Sequence, residues 1–141
     1  MKTKHFSFVL VPGFSLVAFS CAIDALRGAN LILDRPEYRW DLLGANAGQI
    51  ISSSDIPVPV HPLRSIDQTD VIAICGGVRS HDYENADLTR WLHEQSKLGV
   101  RIGALSDGSF VAAAAGLFDA VPSTIHWRCQ DAYRERESVR D

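Results

Sequence analysis

The stretch that decides the fold runs from residue 101 to residue 120 and reads RIGALSDGSFVAAAAGLFDA. Its first six residues form a short apolar run, and an alanine-rich segment follows from Ser109. Alanine is the best helix former, and its small side chain lets a helix pack closely on a sheet. The pattern therefore predicts a β-strand, a tight turn at residues 106–108 and a helix.

The tight turn is the first candidate functional feature, because it places Ser106 at the carboxyl end of a strand beside a helix N-terminus. A nucleophile elbow has this geometry, and the free N–H groups of a helix N-terminus stabilise negative charge. Ser106 is thus a candidate nucleophile, with His126 as its base and the N–H groups near Gly76 and Gly77 as donors to an oxyanion. The alternative is that Ser106 or its neighbour Asp107 only caps the helix.

Outward from this turn, strands and helices alternate along the chain. Apolar runs predict strands at 4–11, 39–44 and 69–75, and the segment 45–62, which contains three of the prolines, predicts a loop with short edge strands. Helices are expected from Leu16 to about Leu31, capped by Ser15, and from Asn85 to Lys97. Residues 123–127 are expected to form a strand or an extended turn, and the charged tail 128–140 a helix.

Nearly continuous apolar strands that alternate with helices predict an α/β fold, a flavodoxin-like three-layer sandwich with a mainly parallel central sheet. Ligands bind such sheets outside the carboxyl ends of the strands. The residues expected at that edge follow the first strand, the third strand and the tight turn, and they form the predicted ligand-binding set: Phe14, Gly76, Gly77, Ser106, Asp107 and His126.

Composition narrows the classes of function. The chain has 141 residues, one domain by size, and a formal net charge of −3, so no basic surface for nucleic acid is expected. Pro12-Gly13 interrupts the first apolar run, which argues against a signal peptide, and no membrane span is expected. The three cysteines have no metal-like spacing and indicate reduced thiols in a cytoplasmic protein, with Cys75 in the core. We expect no metal and no cofactor.

Five short segments, in this order and at these spacings, resemble the PfpI-like superfamily of class I glutamine-amidotransferase-like domains: LVPGF at 10–14, AIDALRGAN at 22–30, ICGG at 74–77, IGALSDGSF at 102–110 and STIHW at 123–127. The resemblance covers nearly the whole chain. It implies that Ser106 stands in place of the elbow cysteine and that His126 and the glycine pair match their counterparts. Ala18 stands where the enzymatic and redox branches carry an acidic residue. The resemblance therefore implies a protein without the catalytic thiol and without its acidic partner.

The run AFSCAIDALRGANLILDRPEYRW at 18–40, with GLFDA at 116–120 and HW at 126–127, is similar to the N-terminal domain of a group of AraC family transcription regulators. In that group the amidotransferase-like domain senses small metabolites, often amino acids or quaternary amines, and a C-terminal pair of helix-turn-helix units binds DNA. The resemblance implies that residues 1–141 form a sensor domain that is incomplete at its C-terminus and contains no helix-turn-helix.

Two hypotheses follow. The first is a ligand-sensing regulatory domain that binds a small polar effector without turnover, forms a homodimer in the cytoplasm, and reaches DNA only through a C-terminal domain absent from this chain. The second is a cysteine-less PfpI-like enzyme of the hydrolase, glyoxalase or deglycase type that uses Ser106 and His126. Serine is a weak nucleophile without an activated base, which favours the first hypothesis.

Overall fold

A computed structural model describes residues 2–65, 68–119 and 121–138. Within these residues the strands are β1 (Lys4–Leu10), β2 (Tyr38–Gly44), β3 (Gly48–Ile51), β4 (Pro57–Pro62), β5 (Val71–Cys75) and β6 (Arg101–Leu105). The helices are α1 (Leu16–Leu33), α2 (Ala86–Lys97), α3 (Gly108–Ala114) and α4 (Gln130–Ser138).

The strands form one sheet in the order β3-β4-β2-β1-β5-β6. All neighbours are parallel except β3 and β4, which pair antiparallel at the edge. Proline cannot donate a ladder hydrogen bond, and the proline-rich β4 accordingly lies next to that edge. The mainly parallel sheet and the short strands near its edge are as the sequence predicts.

The register aligns the carboxyl ends of β1, β5 and β6. Leu10 of β1 pairs with Cys75 of β5, which in turn pairs with Leu105 of β6. The loops that follow these strands therefore begin at the same level and meet at one edge of the sheet. This is the edge at which open parallel sheets bind ligands.

Side chains of β1 alternate between the two faces of the sheet and so belong to two separate core clusters. Phe8 and Leu10 pack with Phe19 of α1 on one face. Val9 packs on the other face in a cluster that includes Leu92 of α2 and further residues of α2 and α3. Helices therefore cover both faces, and the predicted three-layer sandwich is confirmed.

The helix boundaries follow from caps. The Oγ of Ser15 accepts a hydrogen bond from the N–H of Ala18 at 3.4 Å, as predicted, and the side chain of Asn85 caps α2. α1 continues to Leu33, about two residues beyond the predicted end, and stops where Asp34 adopts a left-handed conformation with φ of 49°. By length and composition alone, α1 is the one helix among the described residues that could cross a membrane.

The C-terminal segment differs in part from the expectation. Residues 123–126 form no strand, and a 3₁₀ turn follows at Trp127–Cys129. The predicted helical tail is present as α4, while residues 139–141 lie outside the described residues. The segment packs on the elbow: the Oγ of Ser109 donates to the carbonyl of Thr124 at 3.0 Å, and the ring of Phe110 meets that of Tyr133 edge-on.

Candidate functional site

The predicted strand, tight turn and helix are present around Ser106. β6 ends at Leu105 and α3 begins at Gly108, so the chain reverses within two residues. Ser106 adopts a φ of 52°, in the left-handed region that residues with a Cβ rarely occupy, and its side chain is exposed. Such strain costs of order 1 kcal/mol or more and is typical of a nucleophile elbow.

Glycines let the three loops at this edge approach one another through their backbones. A Cβ on Gly76 would lie 2.3 Å from the nitrogen of Gly108, and one on Gly108 would lie 2.2 Å from the carbonyl oxygen of Ile74. A Cβ on Gly77 would lie 2.1 Å from the carbonyl oxygen of Gly13. Only glycine fits at these positions, so the glycine pair connects the loop after β1 with the elbow.

The N–H groups of the glycine pair are engaged within the protein. The N–H of Gly76 donates to the carbonyl of Leu105 at 3.2 Å, and the N–H of Gly77 donates to Oγ of the buried Ser80 at 2.8 Å. We expected these two groups to face a ligand or an oxyanion, and in this respect the structure corrects the prediction. Their role in the structure is to hold loops together.

The ring of His126 contacts its own segment of the chain in this structure. Its ring is exposed, Nδ1 accepts a hydrogen bond from the N–H of Arg128 at 3.2 Å, and the ring stacks on Trp127. Among the described residues, no hydrogen bond joins His126 to Ser106. The pair therefore lacks the contact by which a base activates a hydroxyl.

Asp107 is buried, with 2% of its surface exposed, although it begins a helix. Its carboxylate makes no capping hydrogen bond, so the cap proposed as the alternative role of this residue does not form. One oxygen, Oδ2, accepts from the thiol of Cys129 at 3.5 Å, and Oδ1 has no hydrogen-bond partner among the described residues. Burial and the nearby carboxylate of Asp107 raise the pKa of the Cys129 thiol, so this thiol is a poor nucleophile at neutral pH.

The side chain of Phe14 belongs to the hydrophobic core and does not reach the surface. Its ring is fully buried and packs edge-on against Phe19, with ring centroids 5.5 Å apart. Its carbonyl accepts a hydrogen bond from the N–H of Ser53 at 2.9 Å, which fixes the β3–β4 loop against the loop after β1. Cys75 is buried as predicted, and burial raises the pKa of its thiol to about 12.

A cleft of about 550 Å³ opens between the loops that follow β1, β3 and β5. Its lining comes from three separate parts of the chain: Pro12, Gly13, Ile51, Ser52, Ser53, Asp55, Arg79, Asp82 and Tyr83. None of these residues belongs to the ligand-binding set predicted from the sequence, although Pro12 and Gly13 directly precede Phe14 of that set.

The cleft carries charges of both signs. Arg79 is exposed, and no ion pair involving it occurs in the described part of the chain. Asp55 is also exposed, in a left-handed conformation with φ of 57°, and the carboxylate of Asp82 lies 3.0 Å from Nε2 of His81. No group of three or more His, Cys, Asp or Glu residues that could hold a metal ion occurs among the described residues.

The sequence matches no family model, but it is similar to characterised regulators over nearly its whole length. The HTH-type transcriptional regulator GlxA of Rhizobium meliloti is 36% identical over 136 residues, which are 95% of this chain and 42% of that regulator. The HTH-type transcriptional regulator CdhR of Pseudomonas aeruginosa is 33% identical over 134 residues, which are 94% of this chain and 40% of that regulator. The chain thus spans about two fifths of the length of these relatives.

Solved structures of regulators and of related proteins share the fold of this chain. An AraC family transcriptional regulator from Pseudomonas putida matches with a TM-score of 0.85 and 23% identity, over 96% of this chain and 73% of that one. A DJ-1 superfamily protein from Agrobacterium tumefaciens matches with a TM-score of 0.74 and 14% identity, over 92% and 68%. The resemblance predicted from the sequence is confirmed: this chain is a homologue of HTH-type transcriptional regulators, with the fold shared by AraC-family regulators and the DJ-1/ThiJ/PfpI superfamily.

Proposed function

We propose that this chain is the ligand-sensing domain of an AraC-type transcription regulator and that it binds a small polar metabolite without turnover. The observation that carries the proposal is an elbow that keeps its strand–turn–helix geometry without the contacts that would activate a nucleophile. The resemblance places Ser106 where the superfamily carries a thiol, and among the described residues no hydrogen bond joins Ser106 to His126. The N–H groups of Gly76 and Gly77 are engaged inside the protein. A homologue of regulators with such an elbow is better suited to recognition than to catalysis.

The charged cleft indicates the chemistry of the effector. Arg79 can hold a carboxylate through two parallel N–H donors, and the carboxylates of Asp55 and Asp82 can face a cationic group. A small molecule with both charges, such as an amino acid or a quaternary amine with a carboxylate, complements this arrangement. The cleft volume of about 550 Å³ lies within the range of small-molecule sites.

The residues of the predicted ligand-binding set have different roles in the proposal, depending on whether a ligand can reach them. Ser106 and His126 are exposed and available to a ligand, whereas Asp107 is buried beneath the C-terminal segment. Phe14 and the glycine pair contribute by fixing the loops that surround the cleft.

Three further parts of the proposal concern the protein as a whole. We infer that it acts in the cytoplasm, that it forms a homodimer, and that DNA is bound by a C-terminal domain outside this chain. The support is the similarity to regulators described as HTH-type, of which this chain spans about two fifths.

The experiment that tests the proposal is a thermal-shift screen with glycine betaine and the common amino acids. A ligand at one hundred times its Kd stabilises the folded state by about 2.7 kcal/mol, which raises Tm by roughly 5–10 °C in a domain of this size. We expect at least one member of the panel to do this, with the effect lost in Arg79→Ala and retained in Ser106→Ala and in Arg90→Ala, a control outside the cleft. A panel without effect on Tm, or an equal response in Arg79→Ala, would contradict the proposal.

The enzyme hypothesis remains the second candidate, because Ser106 keeps the exposed, strained conformation of a nucleophile. Its test is turnover of p-nitrophenyl acetate and of methylglyoxal by the purified chain. Activity that disappears in both Ser106→Ala and His126→Ala would favour the enzyme. Activity that survives in both variants would be unrelated to the elbow.

A further inference from the structure

Ring contacts connect the charged cleft to the C-terminal segment, residues 123–138. The ring of Phe110 in α3 packs against two others, with its centroid 6.0 Å from that of His81 and 5.3 Å from that of Tyr133. Tyr133 belongs to α4, and His81 belongs to a 3₁₀ turn, Ser80–Asp82, whose last residue lines the cleft. Phe110 is buried in a close-packed interior, so a movement of His81 changes the surface on which Tyr133 rests.

The position of the His81 ring depends on a carboxylate of the cleft. Nε2 of His81 lies 3.0 Å from Oδ2 of Asp82, and Nδ1 lies 2.9 Å from the carbonyl oxygen of Val78. Asp82 is also one of the two cleft carboxylates that can face the cationic group of the effector. A cation bound at Asp82 therefore competes with His81 for the same carboxylate. Occupation of the cleft then removes one of the contacts that hold the His81 ring.

The C-terminal segment packs on the elbow against an opposing cost. In its favour are the ring contact of Tyr133 and the hydrogen bond from Oγ of Ser109 to the carbonyl of Thr124. Against it stands Asp107, which is buried with its Oδ2 on the thiol of Cys129 and its Oδ1 without a hydrogen-bond partner in the described part of the chain. Burying a carboxylate oxygen without a partner is unfavourable. A small change at the elbow can therefore shift the segment between a docked and a released arrangement.

We propose that a cationic group bound at Asp82 releases the C-terminal segment from the elbow by way of His81 and Phe110. The inference rests on the proposed function and adds the route by which occupation of the cleft is transmitted. The proposed function places the DNA-binding domain beyond this segment, so the docking of the segment is a signal that such a domain can receive.

The test is hydrogen–deuterium exchange of the purified 141-residue chain without effector, read by mass spectrometry of peptides from residues 129–138. The exchange rate reports how often the segment opens. Asp82→Asn takes the carboxylate from His81, as a competing cation does. We expect this variant to accelerate exchange by about two- to fivefold, a modest effect because an exposed pair contributes little. Peptides from β1 and β5 report the core and should exchange as in wild type.

The matched control is Asp87→Asn in α2. The side chains of Asp82 and Asp87 are 79% and 77% exposed, and each carboxylate lies 3.0 Å from a basic partner. Asp87 pairs with Arg90 of its own helix and lies outside the cleft. Asp87→Asn should therefore leave exchange at residues 129–138 as in wild type. Equal acceleration in the two variants would overturn the inference.

Two further variants test the route and the buried carboxylate. Tyr133→Ala removes the ring that contacts Phe110 and should accelerate exchange by at least about tenfold. In that background Asp82→Asn should have no further effect, and additive effects would overturn the route through His81. Asp107→Asn removes the unpaired buried charge and should slow exchange by at least about threefold. Faster exchange in Asp107→Asn would contradict the opposing cost.

The outcomes separate the coupling from the sensor itself, because no effector enters these experiments. Unprotected amides throughout residues 129–138 of the wild type would contradict the docked segment. A thermal-shift screen without effect, together with the expected exchange pattern, would overturn the proposed effector class and support the coupling. A positive screen, together with the same exchange in Asp82→Asn and Asp87→Asn, would support the sensor and overturn the coupling.

Discussion

The substitution Gly77→Ala tests the close backbone packing that forms the candidate site. An added Cβ would lie 2.1 Å from the carbonyl oxygen of Gly13, and an ordinary contact is at least 3.4 Å. The two backbones must therefore move apart by more than 1 Å. Because the position of a Cβ is fixed by its own backbone and the other atom is a backbone oxygen, no side-chain rotation can relieve the overlap.

The displacement would strain hydrogen bonds that hold the neighbouring loops. The N–H of Gly13 donates to the carbonyl of Ile51 at 2.8 Å, and the N–H of Ser15 donates to the carbonyl of Gly76 at 2.9 Å. Overpacking typically costs 1–3 kcal/mol and a weakened hydrogen bond about 1 kcal/mol. We expect Gly77→Ala to lower the free energy of unfolding by about 2–4 kcal/mol.

The assay is urea denaturation followed by far-ultraviolet circular dichroism. The matched control is Gly103→Ala in β6, where an added Cβ meets no atom within 4 Å and the change should be within about 1 kcal/mol of wild type. Equal stability of the two variants, within about 0.5 kcal/mol, would refute the close packing of Gly77 against Gly13.

Three further predictions concern individual groups. The N–H of His5 donates to Asp70 at 2.8 Å and lowers the pKa of the Asp70 carboxyl in the folded state. This hydrogen bond therefore stabilises the folded state at pH values above the unfolded-state pKa of Asp70, and the stabilisation is lost as the pH falls through the lower folded-state pKa. Thermal unfolding between about pH 5 and pH 2 should therefore show a weaker acid dependence in Asp70→Asn than in wild type. Cys21 is exposed, whereas Cys75 is buried and has a pKa of about 12. Ellman's reagent at pH 8 should therefore modify Cys21 in the native state and Cys75 only after unfolding. Rapid modification of Cys75 in the native state of a Cys21→Ser chain would contradict this. Asn85→Ala removes the cap of α2 and should cost about 1 kcal/mol in urea denaturation, whereas an unchanged midpoint would show that the cap contributes nothing.

Local sequence patterns were sufficient to predict the elements around the elbow. The apolar run 101–106, the alanine-rich segment after Ser109 and the cap at Ser15 act over a few residues, and each has the predicted structure. The glycine pair after β5 was predicted to present N–H groups to a ligand, whereas in the structure it lets neighbouring backbones pack so closely that an added Cβ would lie 2–3 Å from them.

The features that the sequence could not reveal depend on residues far apart in the chain. The hydrogen bond from the N–H of Gly77 is the exception, because its acceptor, Oγ of Ser80 at 2.8 Å, lies only three residues further along the chain. Cys129 reaches Asp107 across 22 residues through the irregular C-terminal segment. The charged cleft likewise arises only when loops after three different strands meet, so Arg79 and Asp55 carry no signal in the linear sequence.

The proposed function is that this domain binds a small zwitterion and leaves it unchanged. Isothermal titration with the ligand that raises Tm most, followed by nuclear magnetic resonance of the ligand after prolonged incubation with the protein, tests the claim most directly. We predict saturable binding that is abolished in Arg79→Ala and unaffected in Ser106→Ala, with the ligand recovered intact. Conversion of the ligand to a product by the wild type, and its absence in Ser106→Ala, would contradict the account and establish an enzyme.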